Sequence, residues 1–406
     1  MAVLGVAVLA GTLTGCGTVP VRSAVTPVDV AHPVVELDQA AGVLRAVDEA
    51  MPQLIARDVA SGGESTQGSQ EPPFLDERIT GPYREILEAR IVAATAEHKP
   101  VPAATGLAGP RVILPHAGPW PRFFLIAGTP RPLGASTSTT ANGDGALPAA
   151  NAVLGAIAPK AAAATSKAKA TASSKTSASA GTGASGPASS ATATGGVGTG
   201  ARTSSGPVPV VRVMLAPDLH HLYGLWAELA LLPGVSLPPM DPSVGGVPTV
   251  AANASGLVES PQDALAGYAG LLDAGAGPKS QEYAPDPLRA KVLKESISTR
   301  LSVAPVASDV TNTFAAVPKE VWALRTKDGG ALVIGAIRET LVITLRSGQS
   351  LKVAGGDLAA LSGRDRFTHQ LIRTSLQVVA LQVPPAGRGL ITALAVQRGD
   401  VAVAGG

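Results

Sequence analysis

The sequence predicts an α+β protein of two similar domains, each with two helices packed on a curved antiparallel sheet. Apolar residues recur at steps of three and four in two segments of each half, as in amphipathic helices. In both halves short apolar runs of strand length then follow, separated by turn residues. The shared order of helix, helix and strands over 406 residues indicates two domains of related design.

The first domain is predicted at 35–231. Its first helix has an apolar face from Leu37 to Ile55, and its second helix covers about Asp76 to Glu97, where Pro82 suits an opening position. The predicted strands of this half are Arg111–Leu114, Arg122–Ala127, Val208–Leu215 and Leu222–Leu231.

A low-complexity tract at 136–207 interrupts this first domain. It consists mainly of Ala, Ser, Thr and Gly, and such a composition buries too little apolar surface to offset the entropy of ordering. The tract is therefore predicted to be disordered. Because the cost of closing a loop grows only logarithmically with its length, the insertion is compatible with one continuous sheet.

Residues 232–255 are predicted to be a linker between the domains. Pro233-Gly234, Pro238-Pro239 and Gly245-Gly246 oppose regular structure there. The second domain is then predicted at 256–406.

The second domain has the clearest helix start in the chain. Ser260 is a capping residue, Pro261 suits the first helical position, and Asp263 favours the positive end of the helix dipole, while Gly275 supplies a stop. The next helix is predicted from Asp286 to Leu301. Its predicted buried stripe is Leu288, Val292, Leu293, Ile297 and Leu301. The predicted strands are Val321–Thr326, Ala331–Leu345, His369–Val383, Gly389–Gln397 and Val401–Ala404.

The N-terminus carries an apolar run, Val3 to Leu13, that is shorter than the roughly 20 residues needed to span a bilayer. Residues 1–15 are therefore predicted to be a signal peptide, and residues 16–34, with three prolines, a tether. No Lys or Arg precedes Cys16, although a signal peptide normally begins with positive charge, and this favours a true start upstream.

The residues Leu13-Thr14-Gly15-Cys16 resemble the bacterial lipobox, and Cys16 is the single cysteine of the chain. The resemblance implies diacylglycerol on the Cys16 sulfur, removal of residues 1–15 and acylation of the new amino group. One acyl chain binds a membrane weakly, whereas two or more hold durably. The alternative is a buried structural cysteine behind a first core strand, Ala2–Leu9.

The lipobox, Leu231-Leu232-Pro233-Gly234 and the stretch from Trp322 to Val333 together resemble actinobacterial lipoproteins that carry a conserved domain of uncharacterised function. The resemblance implies a protein anchored at the extracytoplasmic face of the cell membrane, and it brings no catalytic residues. The order of helices and sheet also resembles the cone-shaped folds of the nuclear-transport-factor and polyketide-cyclase type, which often enclose a pocket.

The sequence contains no pattern that predicts a cofactor, a metal or nucleic acid. His220 and His221 are adjacent and do not chelate one ion together from a strand, and the Gly-rich match at Gly181 lies in the low-complexity tract without a preceding strand. The net charge of +2 gives no electrostatic reason to expect a polyanion as a partner. No catalytic residue is predicted, and the chain is not expected to be an enzyme.

Four aromatic residues on predicted neighbouring strands form a candidate pocket: Trp120, Phe124, Tyr223 and Trp226. Ordinary packing of sheet against helices is the alternative. The expected function is a binding or scaffolding module of the cell envelope, with the membrane, an envelope protein or an apolar small molecule as partner. A lipid or glycolipid carrier would have a cavity above about 300 Å³. An envelope hydrolase would pair His116 or His369 with a carboxylate at a cavity wall.

Overall fold

The computed structural model describes residues 32–60, 77–133, 207–241, 243–275, 279–353 and 356–406. The predicted signal, Cys16 with its lipobox, and nearly all of the predicted tether and insertion lie outside these ranges. The described residues confirm the predicted α+β class, because they form helices and one large antiparallel sheet.

Five α-helices lie within the described ranges: α1 (Leu37–Ala60), α2 (Gly81–Ala96), α3 (Pro261–Ala274), α4 (Pro287–Val303) and α5 (Gly356–Ser362). The predicted helix starts are confirmed at α3 and α4. Ser260 accepts a hydrogen bond from the Asp263 amide at 3.2 Å, and Asp286 accepts one from the Arg289 amide at 2.9 Å. Helix α5 was not predicted. None of these described helices has the length and apolar character that a membrane span requires.

Ten strands are described: β1 (Thr105–Ile113), β2 (Arg122–Pro132), β3 (Val210–Ala216), β4 (Gly224–Leu231), β5 (Ala307–Arg325), β6 (Ala331–Leu345), β7 (Leu351–Lys352), β8 (Arg366–Phe367), β9 (Gln370–Val383) and β10 (Thr392–Gly405). Eight of them form an antiparallel sheet in the order β1-β2-β3-β4-β10-β9-β6-β5. Strands β7 and β8 form a separate small pair. The two last predicted strands are one strand, β10.

The sheet crosses from one half of the chain to the other. Ala230 and Leu231 of β4 pair with Val396 and Ala395 of β10, so the four strands of the first half continue into four strands of the second. The prediction of a separate sheet for each half is therefore wrong, and the structure does not confirm a two-domain arrangement. Sequence periodicity identifies strands, but it does not show which strands pair when they lie far apart in the chain.

An irregular segment joins the two edges of this sheet. The bridging segment, residues 239–241 and 243–250, falls in the predicted linker. Val247 exchanges hydrogen bonds with Leu114 and His116, just beyond β1, at 2.8 and 2.9 Å. Three residues later Val250 donates to Ala323 of β5 at 2.9 Å. The segment thereby pairs with backbone groups of the edge strand β5 and of the chain that follows the edge strand β1.

The sheet consequently curls around an inner core that receives side chains from all eight strands and from the bridging segment. Successive side chains of a strand point to opposite faces, so Phe123 and Leu125 point inward while Phe124 and Ile126 point outward. The same alternation occurs in β6 and β9. The inner core includes Ile113, Phe123, Val213, Trp226, Val247, Trp322, Ile334, Val378 and Leu394.

The helices cover the outer face of the curled sheet. Helix α1 packs on the first-half strands, α2 packs across β4 and β10 where the two halves meet, and α3 and α4 pack on the second-half strands. Leu288 and Val292 of α4 are buried, as predicted, but Leu293, Ile297 and Leu301 are exposed. The predicted stripe on α4 was therefore too wide, because apolar spacing alone does not show how much of a helix face the sheet covers.

Two glycines allow the helices to approach the sheet closely. A Cβ at Gly399 of β10 would lie 2.5 Å from Cγ2 of Ile86 on α2, and a Cβ at Gly335 of β6 would overlap Leu265 of α3. Both contacts belong to the packing of a helix on the second-half strands. A side chain at either position would force the helix away from the sheet.

We expect Gly399→Ala to lower the free energy of unfolding by about 1–3 kcal/mol, because the added methyl overlaps Ile86. Urea unfolding followed by circular dichroism measures this change. Gly270→Ala is the matched control, since nothing lies within 4 Å of a Cβ at that position of α3. It should stabilise the helix by about 1 kcal/mol. Equal unfolding midpoints for Gly399→Ala and the unaltered protein would contradict the packing described here.

Candidate functional site

A cavity of about 260 Å³ opens where the connection between β1 and β2 faces the middle of β5. Its aromatic and apolar walls come from residues far apart in the sequence. Its lining residues are Val34, Pro115, His116, Gly118, Pro119, Trp120, Pro121, Arg122, Phe123, Thr249, Val250, Lys319, Val321, Trp322 and Ala323. We call it the aromatic cavity.

Inward-facing rings form the rigid wall of the aromatic cavity. The ring of Trp322 contacts the ring of Trp226 edge-on, with centroids 4.3 Å apart, and that of Phe123 at 6.4 Å. All three side chains are buried in the inner core. Such edge-on pairs contribute about 0.5–1.5 kcal/mol beyond the area they bury. The wall is therefore preformed by the packing of the sheet.

Basic groups lie around the mouth of the aromatic cavity. The Arg122 guanidinium donates to the Gly118 carbonyl at 2.9 Å and lies over the exposed Trp120 ring, 4.6 Å from its centroid. Lys319 comes from a bulge in β5, between Ala316 and Val321, and has a φ of 66°. A bulge redirects side chains, and positive φ is uncommon outside glycine.

His116 also lines the cavity. Its Nε2 is buried and has no hydrogen-bond partner among the described residues. An unsatisfied buried polar group costs about 1–3 kcal/mol, and such atoms often meet a ligand or water. The lining of the aromatic cavity contains no Asp or Glu side chain. Its chemistry suits a ligand with an apolar body and an anionic group.

The structure separates the four aromatic residues of the predicted pocket. Trp120 lines the aromatic cavity. Trp226 lies behind its wall in the inner core, whereas Phe124 points to the opposite face of β2 and contacts Tyr223, with ring centroids 5.2 Å apart. Burial raises the pKa of the Tyr223 hydroxyl. The four side chains therefore do not line one cavity.

Several lining residues were not predicted from the sequence. Arg122, Lys319 and Trp322 meet only because the bridging segment closes the sheet edges, and no local spacing reports that contact. From the sequence, His116 was named only as a residue that an envelope hydrolase would pair with a carboxylate. Within the described ranges Nε2 of His116 has no hydrogen-bond partner, and Nδ1 of His369 lies 3.0 Å from the Thr368 hydroxyl.

A second cavity of about 440 Å³ lies between α2, α4, α5 and β10, and charged side chains line it. The charges are paired with one another. Arg398 donates to Glu295, the Ser375 hydroxyl donates to Asp400 at 2.6 Å, and Lys291 lies 3.8 Å from Glu295. We call this the charged cleft. Arg373 and Arg398 already have carboxylate partners, whereas Arg90 of α2 donates to the Arg398 carbonyl at 3.1 Å and so links the first half of the chain to β10.

A buried carboxylate, Glu339, lies behind the charged cleft. Arg373 and Arg398 each donate to it at 2.9 Å, and Gln377 donates at 3.0 Å. Burial alone raises the pKa of Glu339, but the two guanidiniums and the hydrogen bonds outweigh that effect, so the net pKa is lowered. A glutamate inside the apolar strand Ala331–Leu345 was the available sequence signal for this cluster.

The histidine pair of the sequence lies in the turn between β3 and β4. Nδ1 of His221 lies 2.7 Å from Asp218, and this hydrogen bond raises the pKa of the exposed His221. Within the described ranges, no group of three His, Cys, Asp or Glu side chains is placed to hold a metal ion.

We expect Glu339→Gln to lower the free energy of unfolding by about 3 kcal/mol at pH 7, because it leaves two guanidiniums without their shared charge. The pH dependence should also change. A lowered folded-state pKa stabilises the protein above the unfolded value of about 4.3, and this contribution is lost as pH falls through the folded pKa.

Urea unfolding from pH 3 to pH 7 measures both effects. The control is Glu49→Gln, at an exposed position on α1. That variant should unfold as the unaltered protein does at every pH. If the free energy of unfolding of Glu339→Gln fell between pH 7 and pH 3 as much as that of the unaltered protein, the role assigned to the carboxylate would be contradicted.

One comparison relates part of the chain to a known family. Residues 243–405 match the family model described as Domain of unknown function (DUF8094). No curated protein and no solved structure matches the chain. The match includes Lys319, Trp322 and Glu339, whereas Trp120 and Arg122 precede it. The predicted domain of uncharacterised function is thus confirmed over 243–405, and actinobacterial origin and lipidation stay predictions.

Proposed function

We propose that this protein is a lipid-anchored binding module of the cell envelope that holds an anionic, partly apolar ligand in the aromatic cavity. The observation that carries the proposal is the lining of that cavity. It combines aromatic rings with two basic side chains and a half-buried imidazole, and it contains no carboxylate. Binding sites of this kind have mostly apolar walls and a few placed polar groups.

The basic groups are available to a ligand in different degrees. Arg122 is oriented by its bond to Gly118 and by the Trp120 ring, so its position is set before binding. Lys319 is exposed at the mouth. A ligand carboxylate, sulfonate or phosphate at that point accepts charge-assisted hydrogen bonds, and its apolar part lies against Trp322.

The proposal assigns binding and not catalysis. Nε2 of His116 has no hydrogen-bond partner among the described residues, and no carboxylate lies among the lining residues to orient it. At about 260 Å³ the cavity is smaller than the size set above for a lipid carrier, so the ligand group it takes is small.

The membrane location is part of the same proposal. We propose the chain to be an actinobacterial lipoprotein at the extracytoplasmic face of the cell membrane, acylated on Cys16. This part rests on Leu13-Thr14-Gly15-Cys16 and on the length of the apolar run before it. Further contacts are with an envelope protein or an apolar small molecule, without nucleic acid.

We expect the protein made in an actinobacterial host to carry acyl mass and to sediment with membranes. Cys16→Ser should lack that mass and either be released or keep residues 1–15. Intact mass spectrometry, membrane fractionation and labelled fatty acid measure the difference. Equal behaviour of both proteins, without acyl mass, would refute the anchor.

We expect Lys319→Asn to weaken binding of anilinonaphthalene sulfonate, an anionic aromatic probe, by about threefold to tenfold, because one charge-assisted hydrogen bond is lost. Asparagine is chosen because it tolerates positive φ better than other side chains. Fluorescence titration of the full-length protein measures the affinity. The control is Lys294→Asn, an exposed lysine on α4. If both variants bind the probe like the unaltered protein, the cavity is not its site.

A further inference from the structure

One end of the sheet carries an unusual number of exposed apolar side chains. Trp120, Leu219, Leu222 and Val244 are exposed to 36, 68, 41 and 85 %. Together we call them the apolar end. Single exposed apolar residues are common on any protein, but a group on neighbouring loops marks an interaction surface.

The strand register places these loops side by side. Arg122 at the start of β2 pairs with Ala216 at the end of β3, so the loop that carries Trp120 lies beside the turn that carries Leu219 and Leu222. Val244 belongs to the bridging segment, three residues before Val247, which is hydrogen-bonded to Leu114 and His116 of the same β1–β2 connection.

The described chain also begins at this end. The Val34 amide donates to the Pro115 carbonyl at 2.8 Å, and the Ala117 amide donates to the His32 carbonyl at 2.9 Å. His32 follows Cys16 by only sixteen positions in the chain. A fully extended chain of that length spans at most about 55 Å. Whatever holds Cys16 therefore lies within reach of the apolar end.

We infer that the apolar end lies on a phospholipid bilayer, with Trp120, Leu219 and Leu222 in the interfacial region. This inference rests on the proposed lipid anchor for its membrane, and it adds which face of the fold meets that membrane. Tryptophan is enriched at membrane interfaces, where one part of the ring is apolar and the other is wet. Arg122 and Lys319 beside it suit phosphate groups of the lipids.

A different exposed apolar surface supplies the comparison. Leu293, Ile297 and Leu301 follow one another at steps of four along α4, and exposed Lys294 and Arg300 flank them. A basic helix of this kind is also a common membrane-binding element. The apolar end is preferred because the chain from Cys16 reaches the fold there, next to Pro115 and Ala117.

The test uses full-length, lipidated protein on vesicles of equal parts phosphatidylcholine and phosphatidylglycerol. Leu219→Cys and Leu301→Cys each add one thiol for an environment-sensitive fluorophore, since Cys16 is the only natural cysteine. The label at position 219 should shift to shorter wavelength and be quenched by brominated lipid, and the label at position 301 should not. Trp120 is the most exposed of the three tryptophans, so Trp120→Phe should abolish the quenching of intrinsic fluorescence by the same lipid.

The outcomes separate the two proposals. If the label shifts at position 301 but not at 219, or at neither position, the proposed membrane contact of the apolar end is refuted. The proposed lipid anchor on Cys16 is not affected by that result. Equal quenching of the unaltered protein and of Trp120→Phe refutes the membrane contact as well. If the unaltered protein takes up the thiol label, Cys16 is not acylated. That result refutes both the lipid anchor and the membrane contact that rests on it.

Discussion

The structure depends on how the two edges of the eight-stranded sheet are satisfied. An open sheet leaves a row of backbone donors and acceptors on each edge strand, and here those strands are β1 and β5. The bridging segment pairs with residues just beyond β1 at Val247 and with β5 at Val250. Because this pairing draws the edges together, the inner face becomes a closed core and the aromatic cavity forms where the closure begins.

Buried charges on the outer face of the sheet fix how the helices and strands combine. Arg212 of β3 donates to Asp48 of α1 and to Glu228 of β4, both at 2.7 Å. In the second half the buried charge has the opposite sign, since Glu339 of β6 accepts from Arg373 and Arg398. An unpaired charge in either place is costly, so each cluster favours the arrangement that keeps its partners in contact.

The aromatic cavity and the apolar end are parts of one region. Trp120 belongs to both, and His32 to Val34 run along its edge. A ligand with an anionic group and an apolar body is also what a bilayer surface presents. The charged cleft lies elsewhere, between α2, α4, α5 and β10, and its Arg373 and Arg398 already have carboxylate partners.

The sequence by itself determined the local elements of this protein. Ser260 and Asp286 cap the two helices that they were expected to begin, and the strand runs from Arg122 and from Ala331 were recognised from their apolar residues. Capping and apolar periodicity depend on residues that are close in sequence, so they can be recognised without knowledge of the tertiary structure. The sequence also named Trp120 as a candidate binding residue.

Only the tertiary structure decided that the strands of both halves form one sheet, that Phe124 and Trp226 point to opposite faces, and that α4 leaves Leu293 exposed. Arg122 and Lys319 are separated by nearly half the chain, and they line one cavity because the bridging segment brings the sheet edges together. Contacts of this kind follow from long-range pairing of backbone groups, and no spacing within a short stretch of sequence encodes that pairing.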